Sequence, residues 1–233
     1  LGCSWLIMNC LRYSGSRWLM GRAVLKTLKE TTLNTFFQIC QQQNIIAGEH
    51  FTYNQQAGTI KFFNSSEILL RDLSYKPSDP QFDSLGSLEI CGAFIDEVAE
   101  IHAKAKNIVR SRCRYKLDEF GITPTLLMSC NPCKGWPFTE FFKPDHDGTL
   151  TEDRAYIQAL VYDNPHIPKS YIQSLEKLDK ASRERLLFGN WFYDGDPRAL
   201  IEYEKMADLW TNDHVPHGKK YITADVAGMG SDL

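Results

Sequence analysis

The stretch Ile90-Cys-Gly-Ala-Phe-Ile-Asp-Glu97 is an apolar run that ends on two adjacent carboxylates, and a helix-like pattern follows it from Val98 onward. Buried parallel strands have continuous apolar sequences, and ligands bind where such strands reach their carboxyl ends. We therefore expect Asp96 and Glu97 to lie at the mouth of an α/β sheet. The same pattern also fits a strand that ends in a solvated acidic turn.

Adjacent acids at this position have a defined use in the P-loop class of nucleoside triphosphatases. The first acid holds Mg²⁺, and the second can take a proton from the attacking water. This interpretation makes Asp96 a ligand of Mg-ATP and Glu97 the base of an ATPase. An apolar run followed by Asp-Glu is common by chance, so the motif needs support from the rest of the chain.

A second apolar strand is predicted at residues 125–129, and Asn131-Pro132 ends it. In a parallel sheet the two strand endings fall along one edge, so Ser129 and Asn131 are candidates for contact with a γ-phosphate or its water. A segment that senses the last phosphate can couple hydrolysis to motion. The alternative is that Asn-Pro simply terminates the strand.

Helical and extended patterns alternate along the chain, which indicates an α/β fold. Residues 1–13 and about 24–42 have helical spacing, whereas residues 59–63 and 67–70 flank a polar turn and predict a β-hairpin. Residues 155–162 are predicted to form another strand, and helical segments follow it.

The composition describes an ordinary globular protein, with 233 residues, 43% of them hydrophobic, and a formal net charge of -3. It therefore indicates neither a nucleic-acid nor a membrane partner, and no stretch is long enough for a transmembrane helix. Seven cysteines without a repeating frame favour free thiols in a reducing compartment. Cys130 and Cys133 form a lone Cys-x-x-Cys pair, which is weak support for a zinc or redox site.

Residues 102–116 carry six basic side chains and no acidic one: Lys104, Lys106, Arg110, Arg112, Arg114 and Lys116. A basic helix of this kind can bind phosphates of DNA, or of a nucleotide held by a neighbouring subunit, and Arg112 is the candidate for the second role. A solvated helix face accounts for the pattern equally well.

The tail, from Tyr221 onward, has the pattern of a strand followed by a glycine-bearing turn. Asp225 comes at the end of the predicted strand, and Asp232 follows the turn. Two-metal nucleases place a carboxylate on their first strand and gather the other ligands from later segments. Asp225 and Asp232 are therefore candidate metal ligands, with Asp225 in the catalytic role.

In this order and at these spacings, the motifs resemble the large terminase subunit, the DNA-packaging ATPase and nuclease of tailed bacteriophages. The resemblance rests on Phe94-Ile-Asp-Glu97 as Walker B, Ser129-Cys-Asn-Pro132 as the coupling motif, Tyr162-Asp-Asn-Pro165, Gly189-Asn-Trp191, and the stretch from Asp225 to Asp232. It spans nearly the whole chain, and the ordered set is more specific than any single motif.

The resemblance implies a P-loop, RecA-like ATPase core with a largely parallel sheet, a small helical linker, and the first strand of an RNase H-like nuclease domain. It places the ATPase domain at residues 1–150, the linker at 151–200 and the nuclease strand at 201–233. No Gly-x-x-x-x-Gly-Lys-Ser/Thr occurs in the sequence. We expect the family's phosphate-binding loop upstream of Leu1 and its remaining nuclease carboxylates beyond Leu233, so the chain by itself should be inactive in both reactions.

The resemblance also implies cofactors and partners. The cofactors are ATP and Mg²⁺, with Mg²⁺ or Mn²⁺ at the nuclease site. The partners are double-stranded DNA, the portal protein, the small terminase subunit and further copies in a ring, which forms on the procapsid in the host cytoplasm. The rival interpretations are a helicase-like DNA translocase, which would need a second RecA-like lobe after about Lys143, and a non-catalytic remnant of such an enzyme.

The tail generates the first testable prediction. In the complete subunit, Asp225→Ala should abolish metal-dependent DNA cleavage and spare ATP hydrolysis, because the two reactions belong to separate domains. Plasmid cleavage with Mg²⁺ or Mn²⁺ and phosphate release, measured on the same preparation, check both halves. A variant that loses both activities would assign Asp225 a folding role instead.

Overall fold

In the computed structural model of the chain, the described residues are 1–192. Their centre is a six-stranded sheet in the order β2-β3-β4-β1-β5-β6. The strands are β1 (Arg17–Arg22), β2 (Phe51–Asn54), β3 (Thr59–Phe62), β4 (Glu67–Asp72), β5 (Gly92–Ile95) and β6 (Thr125–Met128). Neighbours in the β4-β1-β5-β6 part are parallel, whereas β3 pairs antiparallel with both β2 and β4.

The helices are α1 (Gly2–Arg12), α2 (Leu25–Glu30), α3 (Thr32–Gln42), α4 (Ala103–Ser111), α5 (Leu117–Phe120), α6 (Lys143–His146), α7 (Lys169–Glu176) and α8 (Lys180–Leu186). Short 3-10 turns occur at Asp83–Leu85, Val98–Glu100 and Val161–Asp163, and a π-helical turn at Phe138–Phe142. Residues 1–191 form one compact unit. None of the helices within residues 1–192 is long and apolar enough to cross a membrane.

The sheet has a core on each face, and β1 contributes to both. Trp18 and Met20 belong to one cluster with residues of α1 and α3, whereas Leu19 belongs to the other cluster with residues of α4. Successive side chains of a strand point to opposite faces, so a strand that is covered on both sides must be apolar at every position. This is why β1 and β5 have continuous apolar sequences.

The structure confirms the strand predicted from Ile90 up to the two acids, as β5, the strand predicted at residues 125–129, as β6, and the predicted hairpin, which consists of β3 and β4. The single helix predicted at residues 24–42 is wrong, because α2 ends at Glu30 and α3 begins at Thr32. The Thr31 hydroxyl donates to the Thr27 carbonyl oxygen at 2.7 Å. Such back-bonding from a threonine to the preceding turn bends helices.

The strand predicted at residues 155–162 is also wrong, since the structure has only the 3-10 turn Val161–Asp163 there. A strand needs a neighbour for its backbone groups, and none of β1 to β6 pairs with this segment. Gln158 instead donates from its side chain to the Gly189 carbonyl oxygen at 3.1 Å. The predicted strand from Tyr221 onward, with Asp225 and Asp232, lies outside the described residues.

The sheet gives a stability prediction at Gly92. A Cβ at this position would lie 2.6 Å from the Thr125 carbonyl oxygen and 2.9 Å from the Trp18 ring. The backbone oxygen of a paired strand cannot move away, so Gly92→Ala should lower the free energy of unfolding by about 1–3 kcal/mol. Urea denaturation followed by circular dichroism measures the change.

The matched control is Gly21→Ala in β1. There the nearest atom to an added Cβ is Leu73 Cδ1, at 2.6 Å, which is the end of a flexible side chain. We expect a smaller loss than at Gly92, because the leucine can rotate. Equal losses at the two positions would contradict the strand-crowding argument.

Candidate functional site

The carboxyl ends of β1, β5 and β6 lie side by side at one edge of the sheet. Gly21 is in register with Ile95, and Ile95 with Met128. The residues that follow these positions, Arg22, Asp96 and Ser129, therefore meet at the same edge. The Asp96 backbone N–H donates to the Gly21 carbonyl oxygen at 2.9 Å, which extends the β1-β5 pairing up to the carboxylate.

Hydroxyl groups fix both oxygens of the Asp96 carboxylate. Ser129 Oγ donates to Oδ1 at 2.7 Å, and Thr32 Oγ1 donates to Oδ2 at 2.6 Å. Hydrogen bonds to an ionised oxygen are stronger than those between neutral groups, so two of them hold the side chain in one rotamer. The carboxylate is thus fixed in position between the end of β6 and the first turn of α3.

Glu97 occupies an unusual backbone conformation, with φ at 52° in the left-handed region. For a residue with a Cβ this conformation costs about 1–2 kcal/mol. Such strain persists only where the surrounding structure enforces it, and it concentrates at functional sites. Here the left-handed conformation turns the chain immediately after Asp96. The 3-10 turn Val98–Glu100 begins directly after Glu97.

The protonation of Glu97 is also displaced. Burial, followed by the neighbouring charge of Asp96, raises the pKa of Glu97 above its ordinary value of 4.5, and Arg22 and a hydrogen bond from the Asn131 backbone oppose the rise. A carboxylate with a raised pKa binds a proton more readily, which suits a general base. The Asn131 contact places the segment after β6 against Glu97 as well as against Asp96.

Arg22 and Thr32 belong to the site, and sequence reasoning missed both. The guanidinium of Arg22 donates to both carboxylate oxygens of Glu100, each at 3.2 Å, and to Thr31 Oγ1 at 3.0 Å. It also lies 3.8 Å from Asp96 Oδ2, and the bond with Glu100 is the main reason that its pKa is raised. Two features of the sequence could have pointed to these residues. Arg22 directly follows a short apolar run, and Thr31 and Thr32 form a pair within a helical pattern.

A cavity of about 480 Å³ opens beside Asp96. It is lined by the first turn of α1, by Thr31, Thr32 and Thr35, and by the ends of β5 and β6. The oxygens around it are carboxylate and hydroxyl groups, which are the ligands that Mg²⁺ prefers. The first turn of an α-helix also favours anions, so α1 and α3 suit a phosphate group there.

The donors fit a magnesium nucleotide better than a metal bound by protein alone. Among residues 1–192, no group of three or more His, Cys, Asp or Glu side chains could hold a metal ion. Mg²⁺ usually keeps several waters and is bound through one or two carboxylates together with substrate phosphates. A cavity with one fixed aspartate and flanking hydroxyls matches that mode of binding.

Arg112 of the basic helix is far from this cavity in the same chain. The Arg112 carbonyl oxygen accepts from Ile90, before β5 begins, whereas Asp96 follows the end of β5. Six residues of extended chain span about 20 Å. Lys106, Arg110 and Arg114 each pair with an acid, namely Glu140, Asp153 and Glu89. Arg112 Nε is buried and has no hydrogen-bond partner in the described part of the chain.

The thiols of Cys130 and Cys133 are hydrogen-bonded to each other. This bond is the main reason that the pKa of Cys130 is raised and that of Cys133 is lowered. A structural zinc site needs four ligands. Among residues 1–192, no third His, Cys, Asp or Glu side chain joins the pair in a group that could hold a metal ion.

The parallel part of the sheet, with acids after β5 and polar groups after β6, fits the core of a P-loop ATPase. The sequence profile of the phage terminase large subunit matches residues 4–195. The chain belongs to this family.

Solved structures have the same fold. The large terminase of a thermophilic bacteriophage matches with a TM-score of 0.64 and 16% identity, over 84% of this chain and 48% of that protein. The large terminase ATPase domain of Thermus phage P74-26 matches with a TM-score of 0.56 and 10% identity, over 81% of this chain and 82% of that domain. The chain thus spans about half of the first protein and most of the Thermus phage domain. No curated protein matches the chain.

The raised pKa of Glu97 predicts that the stability of the protein depends on pH. Because the pKa is raised in the folded state, the stability that Glu97 contributes is fully present below its ordinary value of 4.5 and is lost as the pH rises through the folded pKa. Glu97→Gln cannot ionise. Its stability relative to the wild type should therefore increase as the pH rises above about 4.5.

Urea denaturation of both proteins at a series of pH values measures this difference. If the urea midpoints of Glu97→Gln and the wild type differed by the same amount at every pH, the pKa of Glu97 would not be shifted by folding. A difference that shrinks as the pH rises would reverse the sign of the argument.

Proposed function

We propose that the chain is the ATPase portion of a DNA-packaging motor subunit, which hydrolyses ATP to move double-stranded DNA into a phage procapsid. The observation that carries the proposal is the Asp96 carboxylate, which is fixed by hydroxyls from two elements and lies beside the strained Glu97. Family membership and the ATPase fold support it. The large terminase of the thermophilic bacteriophage has been solved with ADP and with ATP-gamma-S, which supports a nucleotide as the ligand.

In the proposed reaction, Asp96 would hold Mg²⁺, and Mg²⁺ would offset the negative charge on the phosphates of ATP. Glu97 accepts the proton of the attacking water, for which its raised pKa and its place next to Asp96 are suited. Arg22 holds Glu100 and the Thr31 hydroxyl, and so fixes the start of α3 behind Asp96. Ser129 and Thr32, which line the cavity, therefore position Asp96, while Glu97 is itself partly buried.

Ser129 and Asn131 are proposed to transmit the state of the site. Ser129 bonds to Asp96, and Asn131 bonds to Glu97, so both acids contact the segment after β6. This segment leads to Trp136, whose Nε1 donates to the Ile101 carbonyl oxygen at 2.9 Å. The next residues form the π-helical turn Phe138–Phe142. The segment after β6 thus connects the two acids to residues 138–142 along the chain, and we expect it to carry a change at the acids to that turn.

The finer assignments rest on family membership and on the sequence motifs. We propose an ATPase domain at residues 1–150, a linker at 151–200, and the start of an RNase H-like nuclease at 201–233. Asp225 and Asp232 are the proposed nuclease metal ligands, for Mg²⁺ or Mn²⁺, and Arg112 is a proposed contact to a neighbouring subunit's nucleotide. The proposed partners are double-stranded DNA, the portal protein, the small terminase subunit and further copies in a ring.

The proposal predicts the behaviour of Glu97→Gln in the complete subunit. Turnover should fall by about 10²–10⁴-fold, because the variant removes a base and keeps its shape. The affinity for ATP should change little. Steady-state phosphate release and calorimetric titration with Mg-ATP measure the two quantities.

Glu89→Gln is the matched control, since Glu89 pairs with Arg114 at the opposite end of β5 and is about half exposed, at 49%. We expect this control to keep its turnover. If Glu97→Gln retained full turnover, or lost nucleotide binding together with turnover, Glu97 would be structural and the proposed mechanism would be wrong.

A further inference from the structure

A second cleft, of about 240 Å³, lies at the carboxyl end of β4. It shares no lining residue with the cavity beside Asp96. Residues from α2, from the turn between β2 and β3, from the end of β4 and from the following loop line it. Its charged residues are Lys29, Arg71, Asp72 and Lys76. The cleft is therefore basic in a chain whose formal net charge is -3.

Asp72, the one acid of this basic cleft, already has hydrogen-bond and ion-pair partners. Asp72 Oδ1 accepts hydrogen bonds from the Ser74 hydroxyl at 2.6 Å and from the Ser74 backbone N–H at 3.0 Å. The same oxygen lies 3.6 Å from Lys76 Nζ. Asp72 therefore has little capacity left to balance Lys29 or Arg71.

Arg71 is the distinctive cation of the basic cleft. Its guanidinium donates to the Leu70 carbonyl oxygen at 2.8 Å, and it forms no ion pair with a carboxylate of residues 1–192. Burial lowers the pKa of Arg71, which means that its charge is held where water solvates it poorly. Lys29 likewise donates to a backbone carbonyl, that of Gln55, at 3.2 Å. Arg71 and Lys29 thus face the basic cleft without an ion pair from the described part of the chain, and the charge of Glu67, which lies beyond ion-pair distance, only opposes the fall in the pKa of Arg71.

An anion of the right size would complete this arrangement. Arginine presents several donors in a fixed plane that matches the oxygens of a phosphate group, and lysine adds a point charge. The cations come from three separate segments and surround a cleft that is large enough for one phosphate group. The cations of the basic helix are less suited to this role, because Lys106, Arg110 and Arg114 are paired with acids.

We propose that the basic cleft binds a backbone phosphate of double-stranded DNA. The choice of DNA as the polyanion rests on the proposed function. The chain connects this contact directly to the ATPase site. Lys29 lies in α2, and immediately beyond that helix Thr31 accepts from Arg22 and Thr32 donates to Asp96. Asp72 is also in register with Arg22 across β4 and β1.

The test measures binding of the 233-residue chain to a labelled blunt-ended duplex by fluorescence anisotropy, without nucleotide, between about 50 mM and 200 mM salt. Loss of one phosphate contact should weaken binding to all sequences and reduce the salt slope by about 1. We expect this for Arg71→Gln and for Lys29→Gln. Arg71→Lys keeps the charge and should keep the slope.

Lys26→Gln is the matched control, because Lys26 also lies in α2, its side chain is 83% exposed, and it does not line the basic cleft. Its affinity and salt slope should equal those of the wild type. Thermal unfolding followed by circular dichroism checks that Arg71→Gln is folded. If it is not, Lys76→Gln, a change at a side chain that is 52% exposed, provides the same measurement.

Three outcomes would overturn the proposal. They are absence of DNA binding by the wild-type chain, an unchanged salt slope in Arg71→Gln or Lys76→Gln, and an equal loss in Lys26→Gln. Titration with inorganic phosphate and with ATP identifies the source of the anion. If Arg71→Gln lost binding of phosphate or ATP but kept its affinity for DNA, the cleft would be a site for a free anion. Because no nucleotide is present in the DNA measurement, its result is independent of whether Glu97 proves to be the ATPase base.

Discussion

The hydrogen bonds that fix the Asp96 carboxylate are the interaction on which the candidate site depends. They join β5 to the segment after β6 through Ser129 and to α3 through Thr32. Both partners are hydroxyl donors, so they orient the carboxylate without neutralising its charge, and the acid remains available to a cation. The parallel register of β1, β5 and β6 makes these bonds possible, because it places the three strand ends at one edge.

The two acids at this edge have different surroundings. Asp96 is surrounded by donors, whereas Glu97 is half-buried next to Asp96, and its pKa is raised. Neighbouring carboxyl groups whose environments differ in this way are suited to different chemical tasks, one as a charged ligand and one as a proton acceptor. The left-handed backbone of Glu97 belongs to the same arrangement, since it allows consecutive residues to project into different surroundings.

The capacity of a cation to bind a phosphate depends on where its counter-charges lie. Along the sequence, residues 102–116 form the densest basic segment, yet in the structure three of its side chains pair with acids from other segments. Arg71 and Lys29 are isolated in the sequence and are brought to one cleft by β4 and α2. A local count of charges is therefore a poor guide to where a phosphate would bind, because the counter-charges come from distant parts of the chain.

The sequence by itself determined the elements whose patterns are local. The apolar runs of β5 and β6, the hairpin of β3 and β4, and the acids after β5 were all readable, because each depends on a short local pattern, such as the unbroken apolar run that burial on both faces of the sheet gives β5. The ordered motifs also indicated the family. Residues 155–162 had a strand-like sequence but form no strand, since pairing depends on a neighbour and not on the segment itself. Only the tertiary structure brought in Thr32, which is 64 residues from Asp96 in the chain, and Arg22, because hydrogen bonds between distant residues leave no periodic signal in a sequence. The strain and the raised pKa of Glu97 were decided in the same way, by the burial and charges that the folded chain places around it.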